Sequence, residues 1–144
     1  MAEFARNSVA EEFLRNCDAP RILRGFLRWP CRSWALGDWE KVLGSRQYEF
    51  RIGRRPTEPL QTPQWETDSQ RVRISLERFM QWQNGSRIGD LGPDTHWGYL
   101  SYFHLRDTPE ARHHFRWQDF GVNSSGEEGT LWIGSQGANT PCHR

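Results

Sequence analysis

Lysine is nearly missing from this 144-residue chain: Lys41 is the only one, and arginine supplies the other basic side chains. With 19 basic against 18 acidic residues the formal net charge is +1, too balanced for a surface built to hold nucleic acid or an anionic membrane. The densest basic run, Gly53-Arg54-Arg55, reads as a solvated turn rather than a phosphate site. No apolar run approaches the ~20 residues that a membrane-spanning helix needs. The opening Met1-Ala2-Glu3-Phe4-Ala5-Arg6 is without the apolar core of a secretory signal. Cys17, Cys31 and Cys142 are odd in number and scattered, with no C-x-x-C pair, which excludes a disulfide framework and a zinc knuckle. They fit a reducing compartment, so a cytoplasmic location is expected, with a nuclear one also open. A phosphate-binding loop, a dinucleotide fingerprint and a Ser-His-Asp order are all missing.

Apolar periodicity organises what is there. Ser8-Val9-Ala10-Glu11 reads as a capping box, opening a helix whose Val9, Phe13 and Cys17 share one face and which ends at Asp18-Ala19-Pro20. A second short helix is expected over Gly37 to Leu43, with Leu36, Trp39 and Leu43 on one face and Gly44 as its left-handed cap. Tyr48-Glu49-Phe50-Arg51-Ile52 alternates apolar and charged residues as a half-buried strand should. Val72 and Ile74 alternate with Arg71 and Arg73. A helix follows with Leu76, Phe79 and Met80 inward, stopped by Asn84-Gly85. An aromatic-rich stretch runs from Trp97 to Phe103, and Asn123 to Gly129 forms a Gly/Ser/Glu loop. Helices and strands mix without regular βαβ spacing, so the expected class is α+β.

The chemistry concentrates at the end of the chain. Trp132-Ile133-Gly134-Ser135-Gln136-Gly137 runs through Ala138-Asn139 into Thr140-Pro141-Cys142-His143. This segment resembles the W-x-G-x-x-G-x-x-T-P-x-H stretch of JmjC-domain and related cupin-like 2-oxoglutarate oxygenases. Pro20-Arg21-Ile22-Leu23-Arg24-Gly25 resembles an early strand of that family, and Gly98-Tyr99-Leu100 the segment that supplies a co-substrate tyrosine. The resemblance implies a helical lead-in over residues 1–19, and over 20–144 the first strands of a double-stranded β-helix, a relative of the jelly roll. Non-haem Fe(II) sites of this kind use two His and one carboxylate, and the first two commonly arrive as His-x-Asp or His-x-Glu. Here the acid would fall after Arg144, so the chain is expected to be an N-terminal portion that is catalytically incomplete alone.

Several residues then have two readings each. The resemblance implies that His143 is a metal ligand; otherwise it is an ordinary terminal polar residue. Thr140 is either a hydroxyl that hydrogen-bonds the far carboxylate of 2-oxoglutarate or a turn residue. Tyr99 matches the co-substrate tyrosine, Tyr102 is an alternative three residues on, and core packing is open for both. His96, His104 and His113-His114 have no carboxylate or thiol at ligand-like spacing. A complete family member would use Fe(II) and 2-oxoglutarate to hydroxylate or demethylate a protein side chain, while this chain alone is expected to bind neither. The competing expectation is a non-catalytic interaction module. Arg116 to Gly121 followed by Thr130 to Ser135 resembles members of the family that associate with small heat-shock proteins, which implies a protein partner of that kind and neither nucleic acid nor membrane.

Overall fold

The computed structural model describes residues 28–58, 61, 64, 66–120 and 123–138, together with residue 12. The expected capping box and the Pro20 to Gly25 strand lie outside the described residues, as does the 1–19 lead-in apart from residue 12. Two compact units make up the chain: Met1–Ala35 with His104–Gly129, and Leu36–Phe103 with Thr130–Arg144.

The second unit is a three-stranded antiparallel sheet with helices, in keeping with the α+β expectation. Its strands are β1 (Tyr48–Arg54), β2 (Gln70–Ile74) and β3 (His96–Leu100), in the order β2-β1-β3. Register pairs Phe50 with Val72 and Leu100, and Arg51 with Arg71 and Tyr99. Alternate residues of a strand point to opposite faces, so Phe50, Ile52, Val72, Ile74, Gly98 and Leu100 form one face. Helix α1 (Leu36–Leu43) ends at Gly44, whose φ of +63° suits the left-handed cap. Helix α2 (Leu76–Gln83) starts at Ser75, whose hydroxyl accepts from the Arg78 amide at 3.1 Å.

Helix α2 covers the apolar face. Phe79 stacks on Phe50 with ring centroids 4.4 Å apart, and on Trp82 at 5.4 Å. Leu76, Phe79 and Trp82 are fully buried, whereas Met80, expected inward, is only half-buried. Trp82 takes the inner position because it lies three residues after Phe79 on the same stripe. Gly98 is what lets the helix approach: a Cβ there would lie 3.0 Å from Phe79 and 3.2 Å from Trp82. The chain leaves this unit through β4 (Phe103–His104) and returns through β5 (Thr130–Leu131).

The first unit is an aromatic cluster. Trp29 meets Phe115, Trp117 and Phe120 edge-on at 5.3, 5.5 and 5.8 Å, and its indole N–H donates to the Arg116 carbonyl at 3.1 Å. A short helix α3 (Pro109–Arg112) carries Arg112, which pairs with Glu127 at 2.5 Å. Cys31 is buried, its thiol donating weakly to the His114 carbonyl at 3.6 Å, and burial pushes that thiol's pKa up.

Candidate functional site

The second face of the sheet carries Glu49, Arg51 and Gly53 on β1, Arg71 and Arg73 on β2, and Trp97 and Tyr99 on β3, continuing to Ser101. Strict alternation makes Arg51 look solvent-facing, but the residue is only 5% exposed. A buried guanidinium needs partners for its donors, and Arg51 has them. Its Nε lies 3.1 Å from the Ser101 hydroxyl and 3.1 Å from Glu66 Oε1, while Nη1 donates to the Glu66 carbonyl at 2.8 Å. The Tyr99 phenol lies near enough to the same carboxylate for Glu66 to act on its titration.

This setting shifts Tyr99. Burial first, then the hydrogen bond to Glu66 and that residue's negative charge, push the phenol well above its ordinary pKa of 10, with the Arg51 charge opposing. Tyr99 therefore stays a neutral donor. Its ring lies in an aromatic ladder, stacked on Trp97 at 5.9 Å and on Trp132 at 5.7 Å. Trp97 is buried, and its indole N–H has no hydrogen-bond partner. The ring lies across Gly53, its cross-strand partner, in space that any Cβ would fill.

The segment after β5 lies along the free edge of β3. The Leu100 amide donates to the Ile133 carbonyl at 2.7 Å, Tyr99 bridges to Gly134, and the Ser135 amide donates to the Gly98 carbonyl at 2.8 Å. A turn follows, closed by the Ala138 amide on the Ser135 carbonyl at 3.1 Å, with Gly137 at φ +86°. The W-x-G-x-x-G part of the motif is thus built against the strand that carries Tyr99. Thr140 and His143 lie outside the described residues.

Tyr99 and Tyr102 part company. By alternation Tyr102 would share Leu100's face, but its φ of +50° turns the backbone. The ring comes to lie 5.3 Å from the Arg51 guanidinium carbon, a cation–π contact, and the residue is 59% exposed. Trp132 stays beside Tyr99 through the ring stacking, whereas Leu100 and Phe103 turn elsewhere. Leu100 points to the helix face opposite Phe50, and Phe103 packs on Tyr48 at 5.2 Å. Two open clefts, of about 600 and about 390 Å³, are lined by polar side chains such as Arg55, Asp94, Asp68 and His96, and Tyr99 lines neither. Among the described residues no group of three or more His, Cys, Asp or Glu side chains is placed to hold a metal ion.

Sequence reasoning missed Arg51, Glu66 and Ser101. An arginine in an alternating strand carries no mark of burial, and Glu66 sits in an isolated 3₁₀ turn, Glu66–Asp68, with no periodic neighbours.

Comparison with known proteins adds a direction. Over 145 residues the chain is 37% identical to a protein of Rattus norvegicus, with 93% of the chain aligned. That relative is HSPB1-associated protein 1. The protein of the same name from Homo sapiens is 33% identical over 146 residues, and the Danio rerio homolog 32% over 126. The chain spans only 30% of the rat protein and 29% of the human one. No protein-family model and no solved structure matches the chain.

Proposed function

We propose that this chain contributes to docking a small heat-shock protein of the HSPB1 type. The observation that carries this reading is the similarity itself, 33–37% identity along 93% of the chain to proteins whose name states association with HSPB1. The geometry supports it with two large side chains left in solvent, Trp132 at 55% and Tyr102 at 59% exposure, each in ring contact with the Arg51–Tyr99 face. Aromatic residues of this kind are the usual anchors of protein interfaces. The test is binding of purified HSPB1 to the wild-type chain and to W132A/Y102A. Binding that weakens at least tenfold in the double variant is expected, and loss of about 1.4 kcal/mol or more would be its equivalent. Absence of wild-type binding would overturn the reading.

A second reading is favoured by the arrangement at Arg51. In it the sheet belongs to the opening part of a JmjC/cupin-like double-stranded β-helix, with residues 1–19 as lead-in and 20–144 as the first portion of the domain. The donors on this face suit the group implied: Arg51 already holds a carboxylate, that of Glu66, with the Tyr99 phenol near it, and a carboxylate is what 2-oxoglutarate presents. Tyr99 and Thr140 would grip the co-substrate, Trp132 would wall it, and His143 would ligate Fe(II). When bound, the metal and 2-oxoglutarate would supply oxidation of a protein side chain. The chain's own part would be to orient the dicarboxylate and keep a neutral phenol as donor. Calorimetric titration with 2-oxoglutarate tests this: Y99F should bind more weakly than wild type, and equal affinities would remove Tyr99 from the role.

A further inference from the structure

The sheet has an edge that the Arg51–Tyr99 face does not use. Strand β2 pairs with β1 on one side, through five consecutive residues from Gln70 to Ile74 with no bulge. It is the outermost strand in the order β2-β1-β3, so among the described residues its other side has no strand beside it. Gln70, Arg71 and Arg73 are exposed, and Val72 and Ile74 are half-buried on the helix face. Unpaired edges invite another strand, and β2 is free of the proline, glycine or bulge that would prevent it.

We infer that the outer edge of β2 accepts an extended segment of a protein partner, added as a fourth strand, with acidic residues facing Arg71 and Arg73 and an apolar residue facing Val72. This rests on the partner-docking reading and names the surface. Charge decides the occupant. The strand carries two arginines and no acid, and within the sheet Arg71 stands opposite Arg51, whose charge Glu66 already meets. The contact of Arg71 with Glu49 is long, 3.9 Å, and its side chain is 63% exposed. Arg73 already stands opposite Glu49, so an incoming acid would complete an opposite-charge cross-strand pair at Arg71 and add one on the outer side of Arg73. A second copy of this chain would set arginine against arginine, so the same charges select against self-association. Main-chain hydrogen bonds would supply affinity and the alternating side chains specificity.

The test is amide hydrogen exchange over residues 70–74 of the full chain. The probes are a synthetic peptide of alternating glutamate and valine, a lysine–valine peptide as control, and purified HSPB1. The glutamate peptide should slow exchange across β2 and the lysine peptide should not, while R71E/R73E should reverse that preference. If the reversed variant does not fold, R71Q/R73Q should fold and lose the discrimination, with glutamate-peptide affinity down about tenfold, the scale of two exposed cross-strand charge pairs. Equal protection by both peptides, or none by either, overturns the inference. HSPB1 binding without protection of 70–74 also overturns it while leaving the docking reading intact. Glutamate-peptide protection without HSPB1 binding does the reverse.

Discussion

Replacing Gly53 by alanine tests the aromatic face at its tightest point. A Cβ at this position would lie 2.5 Å from Cε2 and 2.8 Å from Cη2 of Trp97, and closer still to Cζ2. Those atoms belong to a rigid ring that is 1% exposed and stacked on Tyr99, so the ring has little room to yield. Overpacking of this kind costs roughly 1–3 kcal/mol. The backbone opposes it: Gly53 is not in the left-handed region, so alanine fits its conformation and restricts the unfolded chain, worth about 0.4–1 kcal/mol. The net expectation is a loss of about 1–2 kcal/mol, read as a lower urea midpoint at unchanged slope. Tyr99 should follow, because the displaced indole is its stacking partner. The control is the same change in a W97A background, where the obstructing ring is absent and G53A should become neutral or stabilising. A G53A chain as stable as wild type in the presence of Trp97 would refute the reasoning, as would equal effects in both backgrounds.

Removing the N-cap hydroxyl with S75A should lower stability by about 1 kcal/mol, since the Arg78 amide loses its 3.1 Å acceptor; urea denaturation measures it. E66Q should bring the Tyr99 phenol part of the way back toward 10, because the carboxylate's hydrogen bond and charge raise it while burial remains; absorbance titration near 295 nm reads this. In the wild type the raised phenol pKa means that the unfolded chain loses its proton first, so this contribution to stability is present below pH 10 and falls as pH rises above it. His114 works in the acid direction: burial and the neighbouring His113 lower its pKa below 6.5, so the unfolded chain takes up the proton first. Stability from this group is present above pH 6.5 and lost as pH falls through the lowered value. H114F should flatten that acid limb in a pH series of melts.

The elements legible in the sequence were those marked by short-range pattern. The alternation of Tyr48 to Ile52 gives β1, which in fact runs on to Arg54, and Gly44 and Asn84-Gly85 end α1 and α2 where punctuation places them. The order β2-β1-β3 was not legible, because antiparallel pairing over such separations depends on which face each strand buries. Alternation assigns residues to two faces without saying what covers either one. Arg51 therefore read as exposed, although Glu66 and Ser101 enclose it. Leu100 shows what alternation does supply: it neighbours Tyr99 in sequence, and a period of two sends it to the opposite face, paired with Phe50.

Two glycines on adjacent ladder pairs explain how one thin sheet serves both faces. Gly98 pairs with Ile52 and opens the helix side, where Phe79 and Trp82 come within 3.0 and 3.2 Å of the space a Cβ would take. Gly53 pairs with Trp97 and opens the other side, where the indole lies flat across the strand. The first clearance lets the core supply stability close behind the sheet. The second sinks Trp97, which sets the height of the ring stacked on it and so fixes Tyr99 beside Glu66 and Arg51. A residue with a side chain at either place would force the sheet to yield one face to the other. These glycines therefore shape the site from outside it: the position of the Tyr99 hydroxyl depends on an empty space one residue pair away.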